Sequence, residues 1–220
     1  MKDPVDIELS ENGSSLYIFF GGIAARIAMP PFEFYKASQI LDEHKMFIRD
    51  FHQSWYQNGL PGISVDIHTT AKYIRNKIDE IKPERVFFVG NSMGGYAAIL
   101  FAALVGTGEA IAFAPQTFIS PFLRRKHKDN RWMNQVRATY RKSFFKRKVW
   151  NLKPLLSRLD GRLKITVYVS TSDRLDRIHA SHIKDIKGVQ VYEVDGGGHG
   201  VVRLLRDQGK LPAIMSGTNA

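Results

Sequence analysis

The chain has 220 residues, 44% of them apolar, enough for one substantial core and an expected single domain over 1–220. It contains no cysteine, which excludes disulfides, a thiol nucleophile and thiolate metal sites, and leaves serine as the nucleophile to consider. Of its net charge of +11, residues 121 to 163 alone hold +12, from 14 Lys and Arg against Asp129 and Asp160, so the body is close to neutral and one stretch is cationic.

No stretch approaches the roughly 20 uninterrupted apolar residues of a membrane span. The opening Met1-Lys2-Asp3-Pro4-Val5-Asp6 lacks the apolar core of a signal peptide, so the expectation is a cytoplasmic protein. Val5 to Leu9 and Leu16 to Phe20 read as short strands, and the Asn12-Gly13 turn between them predicts an antiparallel hairpin. The second strand runs into Phe20-Gly21-Gly22-Ile23, a simple turn or a strand end that offers backbone N–H groups. Residues 31 to 43, introduced by Pro30 and Pro31, suggest a short amphipathic helix. Lys45 to Arg49 is a third strand candidate. The aromatic and polar loop after it holds Trp55 and Tyr56, which either pack on the next helix or border a pocket. Apolar positions at Ile67, Ala71, Ile74, Ile78 and Ile81 predict a helix ended by Lys82-Pro83.

Residues 86 to 105 organise the rest. A β-rich apolar run, Val86 to Val89, meets the turn Gly90-Asn91-Ser92-Met93-Gly94 and then a small-residue helical run. Gly90, Ser92 and Gly94 match G-x-S-x-G, a strand-turn-helix elbow that lifts a serine hydroxyl above a sheet. The same turn aims the Met93 backbone N–H, at a helix N-terminus, toward the place where an oxyanion would develop. Beyond it, Ala110 to Ala114 is a short strand, followed by the cationic segment. There Trp132, Tyr140, Phe144, Phe145 and Trp150 interleave with Arg and Lys, a pattern of amphipathic helices rather than of a disordered tail. Lys164 to Ser170 is a strand, a helix is expected from about Arg177 to Ile186, Val189 to Val194 is the last strand and Val201 to Gln208 the last helix. Strand and helix alternate from residue 45 onward, which predicts an α/β fold with a mostly parallel sheet of about seven strands covered on both faces.

A serine hydroxyl needs a base within reach. Among seven histidines, His199 stands out because it lies in a glycine-rich turn after the last strand, at the sheet edge where parallel sheets bind ligands. The imidazole needs a carboxylate to hold its tautomer. Asp173, nearer the end of the Lys164 to Ser170 strand, is preferred; Asp176 is the rival, with capping of the following helix as its other role.

Gly-Asn-Ser-Met-Gly-Gly after one strand, Ser-Asp after a later one, Gly-His-Gly after the last and Phe-Gly-Gly after an early one make residues 16 to about 208 resemble the α/β-hydrolase superfamily, and small bacterial serine-hydrolase-like proteins within it. The resemblance implies Ser92 as nucleophile, His199 as base, Asp173 as orienting acid, and the N–H groups of Met93 and of Gly22 or Ile23 as oxyanion hole. It implies cleavage of a carboxylic ester or thioester through an acyl-serine, with no cofactor or metal. Acyl transfer, or a catalytically silent binding module, are the alternatives. Residues 119 to 163 fall where many superfamily members insert a lid. A basic lid with Arg124, Arg125 and Trp132 toward the pocket would suit an anionic substrate: a phosphate, an acyl carrier or an acidic glycan. No nucleic-acid module is visible, which argues against nucleic acid as the partner. The early part of the chain is short by at least one strand of the usual eight, and Asn91 stands where such elbows often carry histidine.

Overall fold

Ser15–Phe20 (β2) is buried on both faces, as expected of a strand inside a parallel sheet rather than at a sheet edge. In the computed structural model, which describes residues 3–23, 34–35, 37–143 and 149–217, β2 has a parallel neighbour on each side. These are His44–Ile48 (β3) and Arg85–Asn91 (β4). Glu109–Phe113 (β5), Lys164–Ser170 (β6) and Val189–Val194 (β7) extend the sheet in parallel beyond β4. Val5–Glu8 (β1) closes the other edge, antiparallel to β3, giving the order β1-β3-β2-β4-β5-β6-β7. The predicted α/β class and seven mostly parallel strands are what the chain adopts.

The expected hairpin is not. β1 and β2 run in opposite directions, but β3 lies between them. Neither Asn12 nor Gly13 has the positive φ that a two-residue hairpin turn demands. Their segment instead passes beside the start of β3, where Asn12 Nδ2 donates to Asp42 Oδ2 (3.1 Å) and Glu43 Oε2 accepts the Ser14 and Ser15 N–H groups (2.8 and 2.7 Å). A strand apolar on both faces needs two covered edges, and β3 takes one of them.

Alternation along the strands divides the core into two layers. Leu16, Ile18 and Phe20 join Met46, Ile48, Val86 and Phe88 on one face, beneath Ile67–Ile81 (α1) and Met93–Val105 (α2). Tyr17 and Phe19 join Phe47, Phe87, Phe113 and Tyr168 on the other, where Val201–Asp207 (α7) and Leu211–Met215 (α8) pack. Each fully buried phenyl group contributes about 1.5–3 kcal/mol of transfer free energy. α2 is apolar all round and buried along almost its whole length, as suits a helix enclosed by neighbours on every side.

Between β5 and β6 the described residues of the cationic segment form three helices, Pro121–His127 (α3), Met133–Ser143 (α4) and Lys153–Ser157 (α5). Val136, Leu152 and Leu156 tie it to the α2 side of the core. Arg174–Ile183 (α6) then links β6 to β7, three residues earlier than the spacing predicts. The helix expected over 31 to 43 lies partly outside the described residues; its described end is a 3-10 turn, Ala37–Ile40. Phe144 and Phe145 also lie outside them. Among the described residues no helix is long and apolar enough to cross a membrane.

Among the described glycines, the two that leave least room for a side chain lie where α2 meets the strands beside it. A Cβ at Gly90 would stand 2.1 Å from the Gly94 carbonyl oxygen, and one at Gly94 would stand 2.1 Å from that of Phe20. Both obstacles are backbone. Gly90→Ala and Gly94→Ala should therefore yield little folded protein, whereas Gly200→Ala, with open space and a φ of −90°, should leave the melting temperature within about one or two degrees of wild type. Circular-dichroism melts of the three variants check this.

Candidate active site

Every strand-end residue singled out in the sequence comes to the C-terminal edge of the sheet. Ser92 follows β4 with φ 56° and ψ −118°, a strained conformation for a residue with a side chain, and is held by its N–H to the Phe113 carbonyl (2.9 Å). Met93 begins α2. Gly22 and Ile23 lie at the end of β2, beside the elbow, because Phe20 pairs with Gly90 and its carbonyl meets Gly94.

His199, in a short 3-10 turn after β7, places Nε2 2.9 Å from Ser92 Oγ. Its Nδ1 lies 2.8 Å from Asp176 Oδ2, not against Asp173. Asp176 is buried and acceptor-only when ionised, so Nδ1 carries the ring proton and Nε2 is left to accept from the serine hydroxyl. The preference for Asp173 is thus corrected, and the two carboxylates exchange the roles foreseen for them. Asp173 is the N-cap of α6, its Oδ1 accepting the Asp176 N–H at 2.9 Å. That cap starts the helix three residues early and turns Asp176, at the third helical position, inward toward the sheet edge. Ligating atoms of Asp173, Asp176 and His199 lie within 4.8 Å of one another, but Asp176 is already shared by His199 and an arginine, and Asp173 by a backbone N–H.

A fourth group reaches the serine. Gln116, buried in the loop after β5, donates from Nε2 to Ser92 Oγ at 3.0 Å. Its amide orientation is set by Trp55, whose indole N–H donates to Gln116 Oε1 at 2.9 Å. Sequence reasoning missed Gln116; the available signal was its place just after a strand at the same sheet edge as Ser92, Asp173 and His199. Trp55 and Tyr56 are themselves wholly buried, so neither offers a face to a substrate. Tyr56 places its hydroxyl 3.0 Å from the Gly21 carbonyl and 3.1 Å from that of Ile48, bracing the strand end that leads to Gly22 and Ile23. The loop is wound around Asp50, a buried carboxylate whose oxygens accept the N–H groups of His52, Ser54 and Tyr56 at 2.9, 2.6 and 2.8 Å.

The cationic segment reaches the site through a residue the sequence did not mark. Arg131 donates from Nη1 to Asp176 Oδ1 at 2.7 Å and grips Asp129 from Nε and Nη2 at 3.2 and 3.3 Å. Asp129 Oδ2 also lies 3.1 Å from Nε2 of His179, whose Nδ1 accepts the Thr117 N–H at 3.1 Å. Nε2 is therefore the protonated nitrogen of a neutral ring, in keeping with burial, which pushes His179 below its ordinary value. Arg124, foreseen at the pocket, is instead buried with its guanidinium on the Arg131 carbonyl and 3.6 Å from Asp129. Trp132 is half-buried against the core, and Arg125 is exposed.

Against protein-family models the chain matches none, and it matches no curated protein sequence. Solved structures with the same architecture are numerous. They include the capsule O-acetyltransferase of Neisseria meningitidis serogroup A, with a TM-score of 0.66 and 13% identity over 98% of this chain and 93% of that one. Another is FphF, a fluorophosphonate-binding serine hydrolase of Staphylococcus aureus, with 0.67 and 17% over 98% and 92%. A third is Est816, an N-acyl homoserine lactone degrading enzyme, with 0.59 and 12% over 94% of each chain. The fold is that of the α/β-hydrolase superfamily, as the sequence resemblance implies.

The electrostatics of the site predict a pH dependence of stability. Burial alone would raise Asp176 and Asp129, but the hydrogen bonds from His199 and Arg131 on the first, and from His179 and Arg131 on the second, bring both below the usual carboxylate value. A carboxylate whose folded pKa is depressed stabilises the fold fully above its unfolded value, about 3.9, and loses that contribution as pH falls through the folded one. Arg131→Gln should lower the melting temperature at neutral pH and flatten its decline below about pH 4. A melting curve with the wild-type pH dependence would contradict this. Asp173→Ala should cost about 1 kcal/mol as a lost N-cap, read in urea unfolding.

Proposed function

We propose that the protein is a serine-dependent enzyme of ester chemistry, a hydrolase of a carboxylic ester or thioester. The observation that carries the reading is the unbroken chain from Ser92 Oγ through His199 to the buried Asp176, with spacings of 2.9 and 2.8 Å. In this reading His199 Nε2 takes the serine proton as Oγ bonds to the acyl carbon, and Asp176 stabilises the imidazolium. The same proton passes to the departing alkoxide or thiolate. His199 next draws a proton from water, which attacks the acyl carbon and releases the acid and free Ser92.

The Met93 N–H at the start of α2 serves as one oxyanion donor, with the Gly22 to Ile23 strand end as the source of the second. Gln116 is a further catalytic residue: its Nε2–H donates to Oγ and so favours the developing alkoxide. A hydrogen bond to a charged group is worth about 1.5–3 kcal/mol, or about 10- to 150-fold in rate. The anionic substrate that a basic lid over residues 119 to 163 would suit gains no support at the serine itself, where Arg131 is taken up by Asp176 and Asp129 and Arg124 is buried.

Acyl transfer is the second reading, favoured by the likeness to the capsule O-acetyltransferase, and differs only in that an acceptor hydroxyl replaces water in the second half. Turnover of p-nitrophenyl acetate tests both. Ser92→Ala and His199→Ala should fall to background, Asp176→Asn about 10³- to 10⁴-fold and Gln116→Ala about 10- to 150-fold, with Asp173→Asn close to wild type. Acetylated sugar formed at the expense of acetate when a monosaccharide is added would identify transfer. A folded wild type without turnover favours the silent binding module.

A further inference from the structure

Away from the serine, α6 turns a second stripe outward. Arg174, Arg177 and His182 follow helical spacing on the side opposite the buried Asp176, His179, Ala180 and Ile183. They line a cleft of about 480 Å³, whose other wall is Lys126 and His127 at the end of α3 and Lys153 at the start of α5. Neither Ser92 nor His199 is among its lining residues.

Four permanent cations thus face one cleft, and among the described residues only Arg177 has a carboxylate partner, Glu193 at 3.5 Å. Arg174 is oriented across the opening by a hydrogen bond from Nη2 to the His127 carbonyl, 3.3 Å. Lys126 and His127 have a structural reason to be where they are, since cations favour a helix C-terminus; Arg174 and Arg177 sit in the first turn of α6, where the helix dipole disfavours them. His182 registers part of that charge, that of Lys153 and Lys126. Burial, then the charges of Lys153 and its neighbours, bring its pKa down to about 4, so the ring stays neutral, 2.8 Å from Asn151 Oδ1.

We propose that this cleft binds a phosphoryl group carrying two or more negative charges. Two guanidinium forks and two ammonium groups match the several oxygens of a diphosphate better than a single carboxylate, and arginine pairs with such oxygens bidentately. The space exceeds a phosphate alone and lies within the range of small-molecule sites, so a diphosphate can enter with part of the molecule that bears it. The proposal goes beyond the acyl chemistry and stands without it.

Titration calorimetry at low salt with inorganic pyrophosphate is the test, on wild type, on Lys126→Gln/Arg174→Gln, and on Lys72→Gln as an exposed cation on α1. Wild type should bind one equivalent, the double variant at least about tenfold more weakly, since two charged hydrogen-bond donors are lost, and Lys72→Gln within about twofold of wild type. Because the substitutions relieve repulsion, the double variant should melt no lower than wild type; if it does not fold, Arg174→Gln alone is read in the same way. ADP beside pyrophosphate separates the sources: tighter ADP binding assigns the cleft to a phosphorylated organic ligand, equal or weaker binding to a free inorganic anion. Absence of saturable binding by either probe, or equal weakening by Lys72→Gln, would overturn the site. p-Nitrophenyl acetate turnover of the same samples keeps the two claims apart, because binding without turnover refutes the esterase reading and turnover without binding refutes the cleft.

Discussion

The structure depends on how closely α2 approaches the sheet. Gly94 meets the Phe20 carbonyl and Gly90 meets that of Gly94, so helix and strands touch through backbone with no side chain between them. That approach forces the reversal at Ser92 into φ 56° and sets the serine at the strand edge with its hydroxyl toward β7. It also brings the end of β2 beside the elbow. The strain is held by the layers around it: α2 is enclosed, and the phenyl groups of β2, β3 and β4 pack across both faces.

A second constraint is electrostatic. Asp176, Asp129 and His179 are all buried, and burial of ionised groups is tolerable only when each is paired and hydrogen-bonded. Arg131 meets that need for both carboxylates at once, and His179 remains neutral between Asp129 and Thr117. The cationic segment is therefore joined to the site from below, through the acid that holds His199. This explains why its one early acid, Asp129, is buried while most of its cations face solvent. Two further cations of the segment, Lys126 and Lys153, line the outer cleft together with Arg174 and Arg177 of α6.

Much of this was legible in the sequence, for physical reasons. A strand apolar on both faces, followed by glycines at spacings that only a close helix approach requires, leaves few folds open, and the order of Ser92 and His199 along alternating strands fits one of them. What misled were signals whose meaning depends on neighbours distant in the chain. Asn12-Gly13 marks a reversal but does not say whether another strand enters between the two it joins. Asp173 and Asp176 each suit a cap or a triad acid, and a shift of three residues in a helix start exchanges the roles; a helix boundary is the least certain thing a sequence conveys. Trp55 and Tyr56 suit either core packing or a pocket wall from sequence; a buried carboxylate at Asp50 winds their loop inward, and Trp55 meets the serine only through its hydrogen bond to Gln116. Gln116 and Arg131 have no local pattern at all, because each matters only through a partner brought near by the fold.

The central claim is that Ser92 is an activated nucleophile. Intact-mass measurement of the folded protein after exposure to a fluorophosphonate, with peptide mapping of the adduct, tests it most directly. A single adduct on Ser92, absent when His199 is replaced by alanine, is the predicted result. A folded wild type that gains no mass, or gains it equally at other serines, would contradict the account.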